Sequence, residues 1–263
     1  MVIDKILRLL ARSHPSPMSK KVLDWAIGVQ RRVLFTDYDF LTNGEMRYVE
    51  SIARDCVKKS RVFFDVGANV GDFSIALAKI VPAKDRIFAF EPHPEVFKKL
   101  RERVSSFKNI TPINQGLDDK SITRALTDSA ITAKNMIDIE VFKARYGVIP
   151  PTVDCSFIRG DEFMADKGIE KIDFLKLDIE GAEGRALKGF GDRLNQIEAI
   201  QFEYGRINIF TKFLLVDFYD LLQNFQIGRI HPKETVFETF DWKQENFIDG
   251  NFLARKIAVN RDH

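Results

Sequence analysis

Between residues 65 and 72 the chain reads Asp-Val-Gly-Ala-Asn-Val-Gly-Asp, where an apolar run, Arg61 to Val66, gives way to a helical pattern. Glycines at 67 and 71 let the backbone turn tightly and approach a ligand at the carboxyl edge of an α/β sheet, where such sheets bind cofactors. Glu91 ends the next apolar run, twenty residues after Gly71. That is about the separation at which an acidic residue accepts hydrogen bonds from a ribose. A dinucleotide loop would read Gly-x-Gly-x-x-Gly, so that a pyrophosphate can rest on the helix N-terminus. The third glycine is missing here, and Asp65 and Asp72 would repel a pyrophosphate. They suit a cation carrying an ammonium and a sulfonium, and S-adenosyl-L-methionine meets that description.

A second concentration of carboxylates, Asp178, Glu180 and Glu183, follows the apolar run Ile172 to Leu177. In a common sheet its carboxyl end lies near that of the Asp65 strand, so Asp178 and Glu180 would face the same crevice. Glu180 and Glu183 also suit a helix N-terminus through its dipole. Glu203 ends the following run, Ala199 to Glu203, and its carboxylate could project over the crevice with that of Asp178. The two could serve as base and orienter, or hold one divalent ion with water and substrate oxygens, although carboxylates alone do not select a metal. His231 is the residue type best matched to proton transfer at pH 7, but Pro232 after it marks a turn. Trp242, with Phe237 and Phe240, is a candidate wall for an acceptor, whereas Phe218, Leu222 and Phe225 recur at helical spacing and should face inward.

The elements that position these residues alternate between short apolar strands and helical segments from residue 61 onward, the pattern of an α/β domain with a parallel sheet. Strands are expected at Arg61 to Val66, Arg86 to Glu91, Ile110 to Asn114, Ile172 to Asp178 and Ala199 to Glu203. Helices are expected at Asp72 to Ile80, Glu95 to Val104, Ala182 to Lys188 and Leu215 to Phe225, with strand-like pieces around Gln226 to Ile230 and Asn251 to Ile257. Residues 118 to 160 break the rhythm, with the Pro150-Pro151 pair and no helical period, and read as an insertion or extra strands. They and residues 205 to 250 are where acceptor specificity would reside. Residues 1 to 59 read as an N-terminal helical extension, with Ile3, Ile6, Leu7 and Leu10, then Val22, Ala26 and Val29, at helical spacing; residues 60 to 263 form the main domain. The extension could pack on that domain, form a homo-oligomer contact or a lid, or rest on an anionic membrane through Lys5, Arg8 and Arg12.

The chain has 263 residues, 40 Lys and Arg against 38 Asp and Glu, and 45% hydrophobic residues, enough for a large core. The near balance of charge removes the electrostatic case for nucleic acid, which needs clustered Lys and Arg. A small-molecule or glycan acceptor fits better. Cys56 and Cys155 stand far apart without metal-ligand spacing, consistent with a reducing cytoplasm. The apolar stretch Ile6 to Ala11 is short and broken by Arg8, so neither a signal peptide nor a transmembrane span is expected.

Four segments, DVGANVGDFS at 65 to 74, FEPHPEVF at 90 to 97, NQGLDDK at 114 to 120 and IDFLKLDIEGAEGRALKG at 172 to 189, make the chain resemble the FkbM-type methyltransferases over most of 60 to 205. The resemblance implies a Rossmann-like class I methyltransferase fold, with helices on both faces of a mostly parallel central sheet. It also implies that Asp65, Gly67, Ala68, Asn69 and Gly71 line the methionine end of S-adenosyl-L-methionine. Glu91, followed by Pro92, would hold the ribose, Gln115, Gly116 and Leu117 would lie by the adenine, and Asp178 would sit beside the transferable methyl. Two positions depart from the family pattern. Arg159-Gly160-Asp161-Glu162 replaces a Leu-Asp pair, and His93 stands for a small polar residue, either stacking on the adenine or exposed at a helix start. Such relatives typically methylate hydroxyl groups on sugars or polyketide-type products. The expectation is therefore an O-methyltransferase acting on a sugar hydroxyl in a glycan, glycolipid precursor or nucleotide sugar. The alternatives are another small-molecule acceptor, an N or carboxyl acceptor, a non-catalytic cofactor-binding module and a nicotinamide oxidoreductase.

Overall fold

The computed structural model describes residues 5, 8–9, 11–12, 14–34, 39–54, 59–128, 139–148 and 151–257. Ile3, Ile6, Leu7, Leu10, Cys56 and Pro150 lie outside the described residues. The chain divides into two units, residues 1–36 and 37–263. In the first, helix α1 (Pro17–Leu34) carries Val22, Ala26 and Val29 as their spacing predicts, and the Ser16 hydroxyl caps it by accepting from the Ser19 amide at 3.2 Å. Among the described residues no helix is long and apolar enough to cross a membrane.

The second unit begins with α2 (Met46–Ala53) and continues with β1 (Val62–Val66), α3 (Asp72–Ile80), β2 (Arg86–Phe90), α4 (Pro94–Val104) and β3 (Ile110–Ile113). A middle section follows: β4 (Gly116–Leu117), β5 (Ile122–Thr127), α5 (Ile139–Tyr146), β6 (Thr152–Ile158) and α6 (Gly160–Asp166). The second half comprises β7 (Phe174–Leu177), α7 (Glu183–Lys188), β8 (Ala199–Tyr204), α8 (Asn208–Thr211), α9 (Leu215–Leu221), β9 (Phe225–Ile230), β10 (Thr235–Phe237) and β11 (Gly250–Lys256).

Eight strands form the main sheet in the order β10-β9-β11-β8-β7-β1-β2-β3. Strands β3, β2, β1, β7 and β8 run parallel, and β11 lies antiparallel between β8 and β9. The chain order reverses between β1 and β7, which opens a crevice at their carboxyl ends. All five residues of β1 are buried because both sheet faces are covered. Side-chain alternation sends Val62, Phe64, Val66, Leu175 and Phe202 to one face, against Phe163, Leu187 and Phe218. Phe63, Ile87 and Phe174 go to the other, against Phe73, Leu77 and Leu100 and against Met46 and Val49 of α2.

Residues 118 to 160 supply strands, as expected, in a second sheet of order β4-β6-β5. They also contain α5, which the periodicity does not announce. Its Val141 and Phe142 pack with Ile207 and Phe210. Helix α9 stops at Leu221 rather than continuing to Phe225, because Leu222 leaves helical geometry and the Phe225 amide turns back to the Leu222 carbonyl at 2.8 Å. The departure at residues 159–162 opens α6, with the Arg159 guanidinium bonded to both oxygens of Asp161 at 2.9 and 2.5 Å.

Phe163 on α6 contacts Phe64, Phe88 and Phe90 with ring centroids at 5.6, 5.5 and 4.8 Å. Its truncation leaves a cavity under β1 and β2, so Phe163→Ala is expected to lower unfolding free energy by about 3–5 kcal/mol. Urea denaturation checks this through a lower midpoint with an unchanged slope.

Candidate functional site

The loop between β1 and α3 is fixed by its own backbone. The amides of Gly67 and Ala68 both donate to the Phe90 carbonyl, at 3.0 and 2.9 Å, and Gly71 closes the turn onto the Ala68 carbonyl at 2.8 Å. Gly67, Asn69 and Gly71 take left-handed backbone at φ 84°, 49° and 90°. A Cβ at Gly67 would also run into the Asp178 carbonyl, so glycine is what lets β1 and β7 converge at the crevice. Glu91 is 3% exposed and spans this turn: Oε2 accepts from the Asn69 amide at 3.0 Å and Oε1 from the His93 amide at 2.9 Å. Burial pushes its carboxyl up to about 7 against those two bonds. Each oxygen keeps a further lone pair for a hydroxyl group.

Across the switch point, one sheet face carries charge in two tiers. The register sets Asp65 beside Lys176 and Lys176 beside Gln201, all buried. Continuing it by two residues sets Asp178 beside Glu203, on the same face at the open edge. The Lys176 ammonium bridges the tiers, donating to Asp178 Oδ2 at 2.7 Å. Burial works against its charge, but Asp178, Asp65 and Glu45 together lift it above the ordinary lysine value. Asp65 Oδ2 accepts from the Ser74 hydroxyl at 2.6 Å, while its buried Oδ1 has no partner among the described residues. Glu203 is partly exposed and titrates well above the carboxylate range, first through burial and then through Asp178, Glu180, Glu183 and Asp249. One residue beyond Asp178, Glu180 and Gly181 turn left-handed, at φ 51° and 95°. Among the described residues no group of three or more His, Cys, Asp or Glu side chains is arranged to hold a metal ion.

These features fit a cationic ligand. A buried carboxylate oxygen awaits a donor, glycine leaves the backbone open, and the crowded carboxylates of the edge would be relieved by a positive charge.

Other expected site residues stand apart from this group. Pro92 is buried and its carbonyl accepts from the Asn114 amide group at 3.1 Å, while Gln115 reaches Ser156 at 3.3 Å. A Cβ at Gly116 would collide with the Phe157 ring, and the Leu117 side chain is 1% exposed within the main core, so packing claims it rather than a ligand surface. His93 is buried instead of exposed at the helix start: it caps α4, its Nδ1 accepting from the Glu95 amide at 3.1 Å. Asp72 turns to Arg103 at 2.7 Å. The His231 carbonyl accepts from Arg47 at 3.0 Å and its amide donates to the Glu234 carbonyl at 2.8 Å, so the turn uses its backbone, while burial lowers the ring pKa. Trp242 is 74% exposed on a short 3-10 turn and forms no enclosed wall.

Two residues outside those expectations join the site. Lys176 interrupts an otherwise apolar strand flanked by Leu175 and Leu177, and a lysine buried on a sheet face requires counter-charges. Glu45 precedes α2. It accepts from Asn43 and Asn251 on Oε1 at 2.6 and 2.9 Å and from Gln201 on Oε2 at 2.6 Å.

Six strands that run one way, a switch point beside β1, a reversed β11 set between β8 and β9 and a reversed β10 at the far edge give the class I S-adenosylmethionine-dependent methyltransferase fold. The chain belongs to the FkbM methyltransferase family, whose domain model matches residues 65–229. It is 28% identical over 143 residues to the hexuronic acid methyltransferase AglP of Haloferax volcanii, covering 54% of this chain and 55% of that protein. It is 26% identical over 197 residues to the 31-O-demethyl-FK506 methyltransferase FkbM of Streptomyces tacrolimicus, covering 64% and 72%. The crystal structure of Methyltransferase FkbM from Methylobacillus flagellatus is similar at 17% identity and TM-score 0.46, over 76% of this chain and 45% of that one. The chain thus spans about half the length of AglP and of that crystallised protein.

Glu183 is 1% exposed, and burial pushes its carboxyl from 4.5 up to about 7. The folded state therefore holds this proton more tightly than the unfolded state. Its contribution to stability is full below about pH 4.5, falls as pH rises toward 7 and is level above that. Glu183→Gln is expected to match wild type near pH 4.5 and to exceed it by on the order of 3 kcal/mol at pH 8. Urea titrations at the two pH values check the sign.

Proposed function

We propose that this chain is an O-methyltransferase that moves a methyl group to a sugar hydroxyl. The observation that carries the reading is the adjacency of Asp178 and Glu203 on one sheet face, next to the glycine loop. A hydroxyl is a poor nucleophile at neutral pH and needs a base beside the transfer line. The hexuronic acid activity in the name of AglP supports a sugar acceptor.

S-adenosyl-L-methionine, when bound, supplies an electrophilic methyl carbon on a sulfonium. In this reading Asp65, Gly67, Ala68, Asn69 and Gly71 receive its methionine end, Glu91 takes the ribose hydroxyls, and Asp178 stands beside the methyl. Glu203 accepts the proton of the acceptor hydroxyl as the oxygen attacks. Its neighbours raise its basicity above that of an exposed carboxylate. Asp178 orients the acceptor and offsets the sulfonium charge.

Two measurements test this. Titration of S-adenosylhomocysteine into wild type and Glu91→Ala, with and without magnesium, is expected to show roughly tenfold or greater weakening in the variant. Glu91 also ties Asn69 to His93, so the loop loosens as well. With a uronic acid glycoside as acceptor, Glu203→Gln is expected to lower kcat by about 10²–10⁴-fold with a small change in cofactor affinity. Rates within about threefold of wild type would discard the hydroxyl reading in favour of an N or carboxyl acceptor, which needs no base.

A further inference from the structure

A buried ammonium lies one layer beneath the carboxylates assigned to chemistry. Lys176 and Asp178 lie on the same face of β7, two residues apart, and their side chains are 6% and 42% exposed. The ammonium thus reaches up the strand from the core to the open edge. Three groups surround it: Asp65, its partner on β1, and Glu45, ahead of α2, whose charges favour the ammonium, and the Phe73 ring, whose centroid is 5.0 Å from Nζ. Glu45 is itself locked. Three side-chain amides, from Asn43, Gln201 and Asn251, all donate to it, which is the pattern of an ionised carboxylate. Gln201 and Asn251 come from the neighbouring strands β8 and β11, so the charge cluster is tied into four strands and the α2 segment.

We propose that Lys176 is a positioning residue for methyl transfer, its ammonium anchored by Glu45 and Asp65 and holding Asp178 Oδ2 so that the rest of the carboxylate faces the methyl site. This rests on the placement of Asp178 beside the methyl given above. A carboxylate at a strand end otherwise turns about two side-chain bonds, and a charge-assisted bond of 2.7 Å removes that freedom without occupying the open side. The arrangement also makes Glu45 part of the catalytic unit, although it lies twenty residues before the segment matched by the family model.

The test observes the methyl itself. S-adenosylmethionine labelled with ¹³C at the methyl is bound to wild type, Asp178→Asn and Lys176→Met, and the bound methyl resonance is recorded. C–H···O contacts from a carboxylate displace that resonance, and a purely structural lysine would leave it unmoved. The expected result is that Lys176→Met moves the resonance in the same direction as Asp178→Asn. Affinity for S-adenosylhomocysteine, which lacks the methyl, should stay within about threefold of wild type. Should Lys176→Met not fold, the charge-balanced pair Glu45→Gln with Lys176→Met removes one buried charge of each sign and carries the same expectation. A shift in Asp178→Asn with none in the Lys176 variants would overturn the inference alone. No shift in Asp178→Asn would overturn the placement of Asp178, and the inference with it.

Discussion

The buried ammonium of Lys176 is the constraint around which the carboxyl edge of this sheet is organised. A parallel sheet covered on both faces has no water to solvate a charge, so each charged group on it must find its opposite within the fold. Here one ammonium answers to Asp65, Asp178 and Glu45, and the surplus of negative charge is left at the rim. The glycine loop, the left-handed residues after Asp178 and the packing of α2 all bring groups to that cluster. A fold that neutralised the edge with more lysines would be easier to stabilise and would have nothing to offer a sulfonium.

Most of this architecture is legible in the sequence because it rests on local period. Strands such as RVFFDV and IDFLKLD are short apolar runs next to helical spacing, and glycines 67 and 71 mark a close backbone approach. Glu91 is legible as an acidic strand end. Its bonds to the Asn69 and His93 amides are not, since spacing places a residue near a ligand without showing which backbone groups it also serves. His93 illustrates the same limit: a histidine at a helix start gives no sign that its ring will be buried as the cap.

What the sequence hides is long-range. Glu45, Gln201 and Asn251 meet across more than two hundred positions, and none carries a local motif. Helix α5 spreads its apolar residues over opposite sides and so shows no single apolar stripe, and its packing partners, Ile207 and Phe210, lie far along the chain. Leu117 and Trp242 show the converse. A motif position can be taken by the core, and an aromatic residue in a turn can point to solvent, because burial is decided by neighbours that spacing does not reveal.

Strand β11 is last in the order of the main sheet's strands along the chain, yet it sits inside the sheet between β8 and β9. During synthesis, therefore, residues 199–230 leave the ribosome with two facing edges that have no partner until residues 250–256 follow. Unpaired edges of this kind are the places where nascent chains associate with one another. Asn251 arrives with the same strand, so Glu45, among the first residues of its unit to emerge, waits for one of the last before its carboxylate is fully bonded. The geometry that completes the sheet and the geometry that completes the site are thus reached together, at the end of translation of this domain.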